Sequence, residues 1–288
     1  MSTLSQKKDF AIIISVKNAN PNGDPLNGNR PREDSNGYGE ISDVCIKRKI
    51  RNRLIDMGEK VFVQSDDYKV DEYKSLKDRA DACDAIKKLG TGKNPDSEKY
   101  AQEACKEWID VRSFGQVFAF KGSSVSVGVR GPVSISIAKS VSPIDVVSMQ
   151  ITKSVNSVTS PNGNGKSSDT MGMKHRVVFG LYVVYGSMNC QLAEKTGFTD
   201  EDSEKIKEAI KNLFENDCSS ARPDGSMEVC RLYWWEHGSK TPKYSSAKVH
   251  KSLNITQKDT SKQPTSIDDY NITITPLEGL EPTVYDLT

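Results

Sequence analysis

The sequence predicts an α+β fold with its elements in βαββαβ order. Three observations support this. Phe10–Lys17 is a short, continuous β-branched run of the kind buried on both faces of a sheet. Arg176–Asn189 alternates at period two over a length that only a strand accounts for. Two amphipathic helical segments, 42–57 and 198–216, separate the strands as that order requires.

The elements follow in turn. After the first strand, Asn18–Gly39 is so rich in Gly, Asn and Pro that it reads as loop. Ser42 is a suitable N-cap, with Asp43 in the favourable first turn. Ile46, Ile50, Leu54 and Met57 then share one helical face, and Gly58 closes the helix. Val61–Lys99 is polar and charged, and reads as an inserted, mostly helical subdomain apart from the core. Asp96–Phe118 continues as helix, with Tyr100, Ala104, Trp108, Val111, Phe114, Val117 and Phe118 as its stripe. Ser124–Ala138 alternates as a strand, broken or bulged at Gly131-Pro132. Ser140–Arg176 is a long excursion with a flexible centre at Ser160–Ser168. In the strand that follows, Val177, Phe179, Leu181, Val183 and Tyr185 line one face and Val178, Gly180, Tyr182 and Val184 the other. Thr199 caps the second helix, whose stripe is Ile206, Ile210, Leu213 and Phe214. Met227–Glu236 is a strand, Ser239–Ser266 a lysine-rich loop, and 270–275 and 284–287 short terminal strands. This is the order of a ferredoxin-like or RNA-recognition fold carrying two large insertions.

The totals restrict function. The 288 residues carry 40 Lys and Arg against 39 Asp and Glu, a net charge of +1, so any polyanion contact has to be a local patch. Only 35% of residues are hydrophobic and mean hydropathy is −0.58. No apolar run is long enough to span a membrane, and the polar opening is no secretory signal, which implies a cytoplasmic protein. The six scattered cysteines include no CxxC pair, so they read as reduced, buried thiols and not as a zinc site. His175, His237 and His250 lie far apart without acids at ligand spacing. Neither a Ser-His-Asp nor an HExxH arrangement occurs, and no GxxxxGK[ST] loop is present. No cofactor or metal is expected. Trp234 and Trp235 sit in a strand, where core packing suits one and base stacking an exposed partner.

Positive charge is concentrated near the amino terminus. Arg30 and Arg32 lie in the Gly/Asn loop, and Lys47, Arg48, Lys49, Arg51 and Arg53 fall within seven helical residues with no acid before Asp56. Such a cluster is expected to hold a phosphate backbone without reading bases. Asp24, between Gly and Pro, reads as a turn former. The arm Thr152–His175 carries Lys153, Lys166, Lys174 and His175 with Met171 and Met173, a set suited to wedging an apolar tooth against stacked bases. Gly172 between the methionines permits a tight turn.

The strings NPNGDPLNGNRPR, SDVCIKRKIRN, DVRSFGQVFA, RGPVSIS, QITKSVNSV and TMGMKHRVVFGLYVVYGSMN, in this order over residues 10–190, resemble the backbone subunit of the CRISPR Cascade complex. The similarity is to the type I-C version of the Cas-seven family. The resemblance implies a modified RNA-recognition palm with a helical finger insertion and a thumb arm. On this chain it implies palm at 1–57, finger at 58–121, a palm strand at 122–148, thumb at 149–175 and palm again at 176–288. It implies a non-enzymatic subunit that polymerises head to tail along a CRISPR RNA and presents the guide to a target DNA strand. Its partners would be other Cascade subunits and a recruited helicase-nuclease. Guide contacts would come from Arg30, Arg32, Ser42, Lys47, Arg48 and Arg51, and from Thr152, Lys153, Ser154, Met171, Lys174 and His175 of the thumb. Type III relatives carry a catalytic Asp after the first strand. A metal-dependent ribonuclease using Asp24 therefore stays open as an alternative, beside a solitary RNA-recognition module.

Overall fold

The computed structural model describes residues 2–90, 96–121, 125–155 and 171–288. The expected flexible centre Ser160–Ser168 and Lys166 lie outside the described residues. In chain order the elements are β1 (Lys8–Ala19), β2 (Gly23–Asp24), β3 (Arg30–Pro31), β4 (Tyr38–Ile41) and α1 (Asp43–Asp56). There follow α2 (Leu76–Ala82), α3 (Asp84–Gly90), α4 (Ser97–Glu107), α5 (Ile109–Phe114), β5 (Gly115–Phe118) and β6 (Val127–Arg130). Then come β7 (Val133–Ile135), β8 (Ala138–Pro143), β9 (Val146–Thr152), β10 (Met171–Met188), α6 (Cys190–Thr196) and α7 (Asp200–Lys211). The chain ends with β11 (Met227–Glu236), α8 (Ser246–Ser252), β12 (Leu253–Gln257), β13 (Tyr270–Ile274) and β14 (Thr283–Asp286).

An antiparallel sheet in the order β14-β11-β1-β10-β8-β4 organises the chain, with β7 and β9 also pairing to β10. β1 is central, as its continuous apolar run requires: Ile13 faces Val183 of β10 on one side and Arg231 of β11 on the other. Alternation along β1 sends Phe10, Ile12, Ile14 and Val16 to one face, where Ile46, Ile50 and Leu54 of α1 and Ile206 and Ile210 of α7 cover them. The other face buries Ala11, Ile13, Leu181 and Trp235 beneath Val249 of α8 and Leu253 and Tyr270 of the β12–β13 hairpin. Both faces of the sheet are therefore covered around β1. Gly186 sits opposite Phe10, and a Cβ there would lie 2.1 Å from the Phe10 ring, which stacks on Trp234 at 5.4 Å.

Residues 61–130 form their own core around Phe62, Tyr100, Trp108 and Phe118, so the polar insertion is a packed unit, contrary to its low apolar content. The expected helix to Phe118 stops at Phe114, because Gly115 takes φ 83 and opens β5, leaving Val117 exposed. The strand expected at 124–138 does break at Gly131-Pro132, and the two pieces join different sheets: β6 pairs with β5, β7 with β10. The Asn18–Gly39 segment, expected to be loop alone, contains the β2–β3 ribbon and the edge strand β4. Its asparagines supply the bonds a loop would otherwise lack: Asn20 Nδ2 donates to the Asn29 carbonyl at 2.7 Å, and Asn22 Oδ1 accepts the Ser42 N–H at 2.9 Å.

Other differences are local. Ser239–Ser266 holds α8 and β12, because Val249 and Leu253 are anchored by the sheet face beneath them and not by any periodic stripe. α6 was not anticipated. Met57 is partly exposed, past the end of the buried stripe, and Val178 points outward where β10 leaves the core. Of the cysteines, Cys105, Cys190 and Cys230 are buried as expected, Cys45 and Cys83 are half-buried, and Cys218 is exposed. Among the described residues no helix is long and apolar enough to cross a membrane.

Candidate nucleic-acid interface

α1 begins as the sequence indicates, with the Ser42 hydroxyl accepting the Cys45 N–H at 3.3 Å. Its basic side chains are not the free cluster that their density suggests. Lys47 pairs with Asp43 at 2.9 Å, one turn back. Lys49 is buried and pairs with Asp217, and the same burial pushes its ammonium below the ordinary lysine value. Arg51 Nε reaches Asp110 Oδ2 at 2.9 Å, and Arg53 pairs with Asp56 at 2.6 Å and Glu215 at 3.0 Å. Arg48 donates to the Val63 carbonyl at 2.6 Å; burial, helped by the Arg51 charge, lowers its pKa. Arg48 and Arg51 thus both point at the 61–130 unit, while Lys47 stays near the helix start. These acids come from distant sequence: Asp110 is 59 residues from Arg51 and Asp217 is 168 from Lys49. No local pattern in the sequence could reveal them.

The loop arginines diverge. Arg32 meets Asp24 at 3.4 Å, and Asp24 also accepts the Leu26 N–H at 3.2 Å, which is the turn-forming role read from its neighbours. Among the described residues no group of three or more His, Cys, Asp or Glu side chains is placed to hold a metal. Arg30 extends to the long arm, donating from Nη1 to Ser148 Oγ at 2.7 Å. The same hydroxyl lies 2.8 Å from His175 Nδ1. Ser148 Oγ therefore joins Arg30 and His175 in one hydrogen-bonded set, accepting from the guanidinium and sharing a hydrogen bond with the imidazole.

The arm is a two-stranded ribbon in which Met171 faces Thr152, Met173 faces Gln150 and His175 faces Ser148. Directly opposed residues share a face, so Thr152, Met171, Met173 and His175 lie together and Lys174 lies on the reverse with Met149 and Ile151. Gly172 is a strand residue opposite Ile151, not the turn expected of it. Both methionines are open to solvent, at 67% and 56% exposure, and Gln150 Nε2 sits 3.2 Å from the Met171 sulfur. Lys153 and Ser154 follow the end of β9 and are exposed. The structure therefore unites Arg30, Thr152, Met171 and His175 on or beside one ribbon face, and sets Arg48 and Arg51 apart from them. Arg222, which sequence reasoning passed over, joins Lys49 on Asp217 at 3.3 Å beside the start of α1.

A relative from Haloferax volcanii, described as CRISPR-associated protein Cas7, is 26% identical over 255 residues, covering 81% of this chain and 70% of the relative. Two solved chains are also similar, one described as a CRISPR RNA-guided surveillance complex, pre-nicking, and one as a CRISPR RNA-guided surveillance complex. Their TM-scores are 0.48 and 0.45, each at 16% identity over 80% of this chain, and over 78% and 68% of theirs respectively. Residues 6–275 match the family model for CRISPR-associated protein Cas7, and the chain belongs to that family.

Proposed function

We propose that this chain is a guide-binding backbone subunit of a CRISPR RNA-guided surveillance complex, of the type I-C form. The observation that carries this reading is family membership across residues 6–275. In it, copies assemble head to tail along a CRISPR RNA in the cytoplasm, beside other Cascade subunits, and expose the guide for pairing with a target DNA strand. A helicase-nuclease recruited to the complex performs degradation, and this subunit holds RNA without cutting it. Base pairing reads the sequence in such a system, so the protein needs only to grip backbone and shape.

The central sheet serves as a modified RNA-recognition palm. Its order, with the last long strand β11 beside β1, then β10, then β7 and β8, supports that description. Residues 58–130 act as finger, with β6 included because it pairs with β5, and the β9–β10 ribbon acts as thumb. The guide contacts in this reading are Arg30, Arg32, Ser42 and Lys47 at the palm and Thr152, Lys153, Ser154, Met171, Lys174 and His175 at the thumb. Arg48 and Arg51 reach the guide only through N–H groups left over from their bonds to the finger. Met171 and Met173 share one exposed face and form a two-residue wedge.

The test is to purify the chain with its complex and sequence the co-purifying RNA. Uniform-length RNA bound to a multimer is the expected result. Preparations free of nucleic acid and indifferent to added transcripts at low salt would overturn the proposal.

A further inference from the structure

We infer that the surface around Tyr244 is a second phosphodiester-binding site, which takes a strand other than the guide proposed above. Residues 237–258 carry Lys240, Lys243, Lys248, Lys251 and Lys258 and not one Asp or Glu, in a chain whose net charge is only +1. Lys240 is engaged by Glu194. Lys243, Lys248 and Lys251 are exposed and meet no acidic partner among the described residues. The contrast is with α1, where Lys47, Lys49, Arg51 and Arg53 each meet an acid among Asp43, Asp56, Asp110, Asp217 and Glu215. Unneutralised charge of one sign on one surface attracts a polyanion.

The charges are also held in place. Lys248 Nζ lies 4.4 Å and Lys243 Nζ 5.9 Å from the Tyr244 ring centroid. The ring is fixed in turn by a hydrogen bond from its hydroxyl to the Glu278 carbonyl at 3.1 Å. Lys251 follows Lys248 by three residues on α8, hence on the same helical face. The segment is anchored below. His237 Nδ1 accepts the Lys243 N–H at 3.2 Å, so its Nε2 carries the proton donated to buried Asp9 at 2.7 Å. Val249 is buried against the sheet face opposite α1, which puts the patch on the far side of the palm from Ser42 and Lys47.

A protein partner fits this surface poorly. Among the described residues, none of the exposed large apolar side chains falls between Val178 and Val284, so the patch lacks the apolar centre of a protein interface. The chemistry recognised is the phosphodiester backbone, in single-stranded or duplex form.

The inference rests on the guide reading only in naming the first strand. The experiment uses protein purified with its bound RNA and a labelled 40-nucleotide DNA, single-stranded and as duplex, titrated at several salt concentrations. Changing Lys243, Lys248 and Lys251 to Gln is expected to weaken binding at least tenfold at low salt. It should lower the salt slope by about 2 for the single strand or about 2.7 for the duplex, with RNA content unchanged. Whichever form shows its full slope loss is the natural occupant. Unchanged affinity and slope for both forms would overturn the inference. So would RNA content falling with DNA affinity, since the lysines would then belong to the guide track, and so would polyglutamate competing as well as DNA. Protein that carries no RNA yet loses DNA affinity on substitution would sink the guide reading and leave this one standing. If the triple variant fails to fold, Lys248→Gln alone should lower the slope by about one unit, and no change would refute the site.

Discussion

Replacing Arg51 with alanine should loosen the finger from the palm before it affects any nucleic-acid contact. Asp110 is fully buried, and its carboxylate accepts from Arg51 Nε at 2.9 Å and from the Phe62 and Val63 N–H groups at 2.7 and 3.0 Å. The guanidinium also lies 5.1 Å from the centre of the Phe114 ring. Removing it leaves a buried anion held by two backbone donors. Breaking a buried pair from one side costs about 3–5 kcal/mol, and the two remaining bonds put this case near 3 kcal/mol. That corresponds to roughly a hundredfold in the local opening constant. For a chain of this size it lowers Tm by about 6 °C. The assay is amide exchange at Phe62 and Val63 together with a thermal melt, in a double-mutant cycle with Asp110→Asn. Coupling well above about 1 kcal/mol supports the reasoning. An Arg51→Ala protein with unchanged melting and exchange, but without bound RNA, would refute it and return Arg51 to the guide surface.

Four further outcomes are expected. Burial works against the Asp9 anion, yet the His237 hydrogen bond and the nearby Lys7 charge outweigh it and hold the pKa down at about 2. Because the folded value is depressed, the stabilisation is complete above about pH 4 and is lost as pH falls toward 2; it amounts to about 2 kcal/mol. Urea titrations at pH 4.5 and 2.5 should show the stability gap between wild type and Asp9→Asn closing by about 1.5 kcal/mol, the remainder being lost below pH 2.5, and a gap independent of pH would contradict the assignment. Met171→Ser with Met173→Ser should leave the melting transition within about 0.5 kcal/mol of wild type, since both side chains are exposed, while disturbing nuclease footprints of the bound guide. Gly186→Ala should destabilise by about 1–3 kcal/mol in a denaturant titration, because the added methyl meets the Phe10 ring. Asp24→Ala should leave target RNA as intact as wild type does in an assembled complex with magnesium, and regular cleavage abolished by that change would establish the ribonuclease alternative.

How legible each part was depends on how local its causes are. β1 and the cap of α1 could be read because alternation, Ser42 and Asp43 act within a few residues. The acids that neutralise α1 could not, since Asp110 and Asp217 are brought to it only by the fold. The run of cations therefore looked like an open binding face when much of it is ion-paired. α8 and β12 were hidden for a related reason: Val249 and Leu253 are single anchors, too few to make a periodic signal, and the sheet beneath decides their conformation. The arm was readable as an arm, but the sharing of one face by Met171, Met173 and His175 depends on strand register. That register emerges only once β9 is aligned with β10.

β10 runs unbroken over 18 residues, pairing with β9 at its start and with β1 for most of the rest. Residues 171–176 carry β10 about 20 Å past the last residue it pairs with β1, Val177, with β9 alongside and Arg30 tied to Ser148. Load applied to that beam passes along the same strand into its pairing with the buried β1. Repeated along an assembly, such beams would set an interval by stiffness, so softening the root should blur the interval before it weakens the grip.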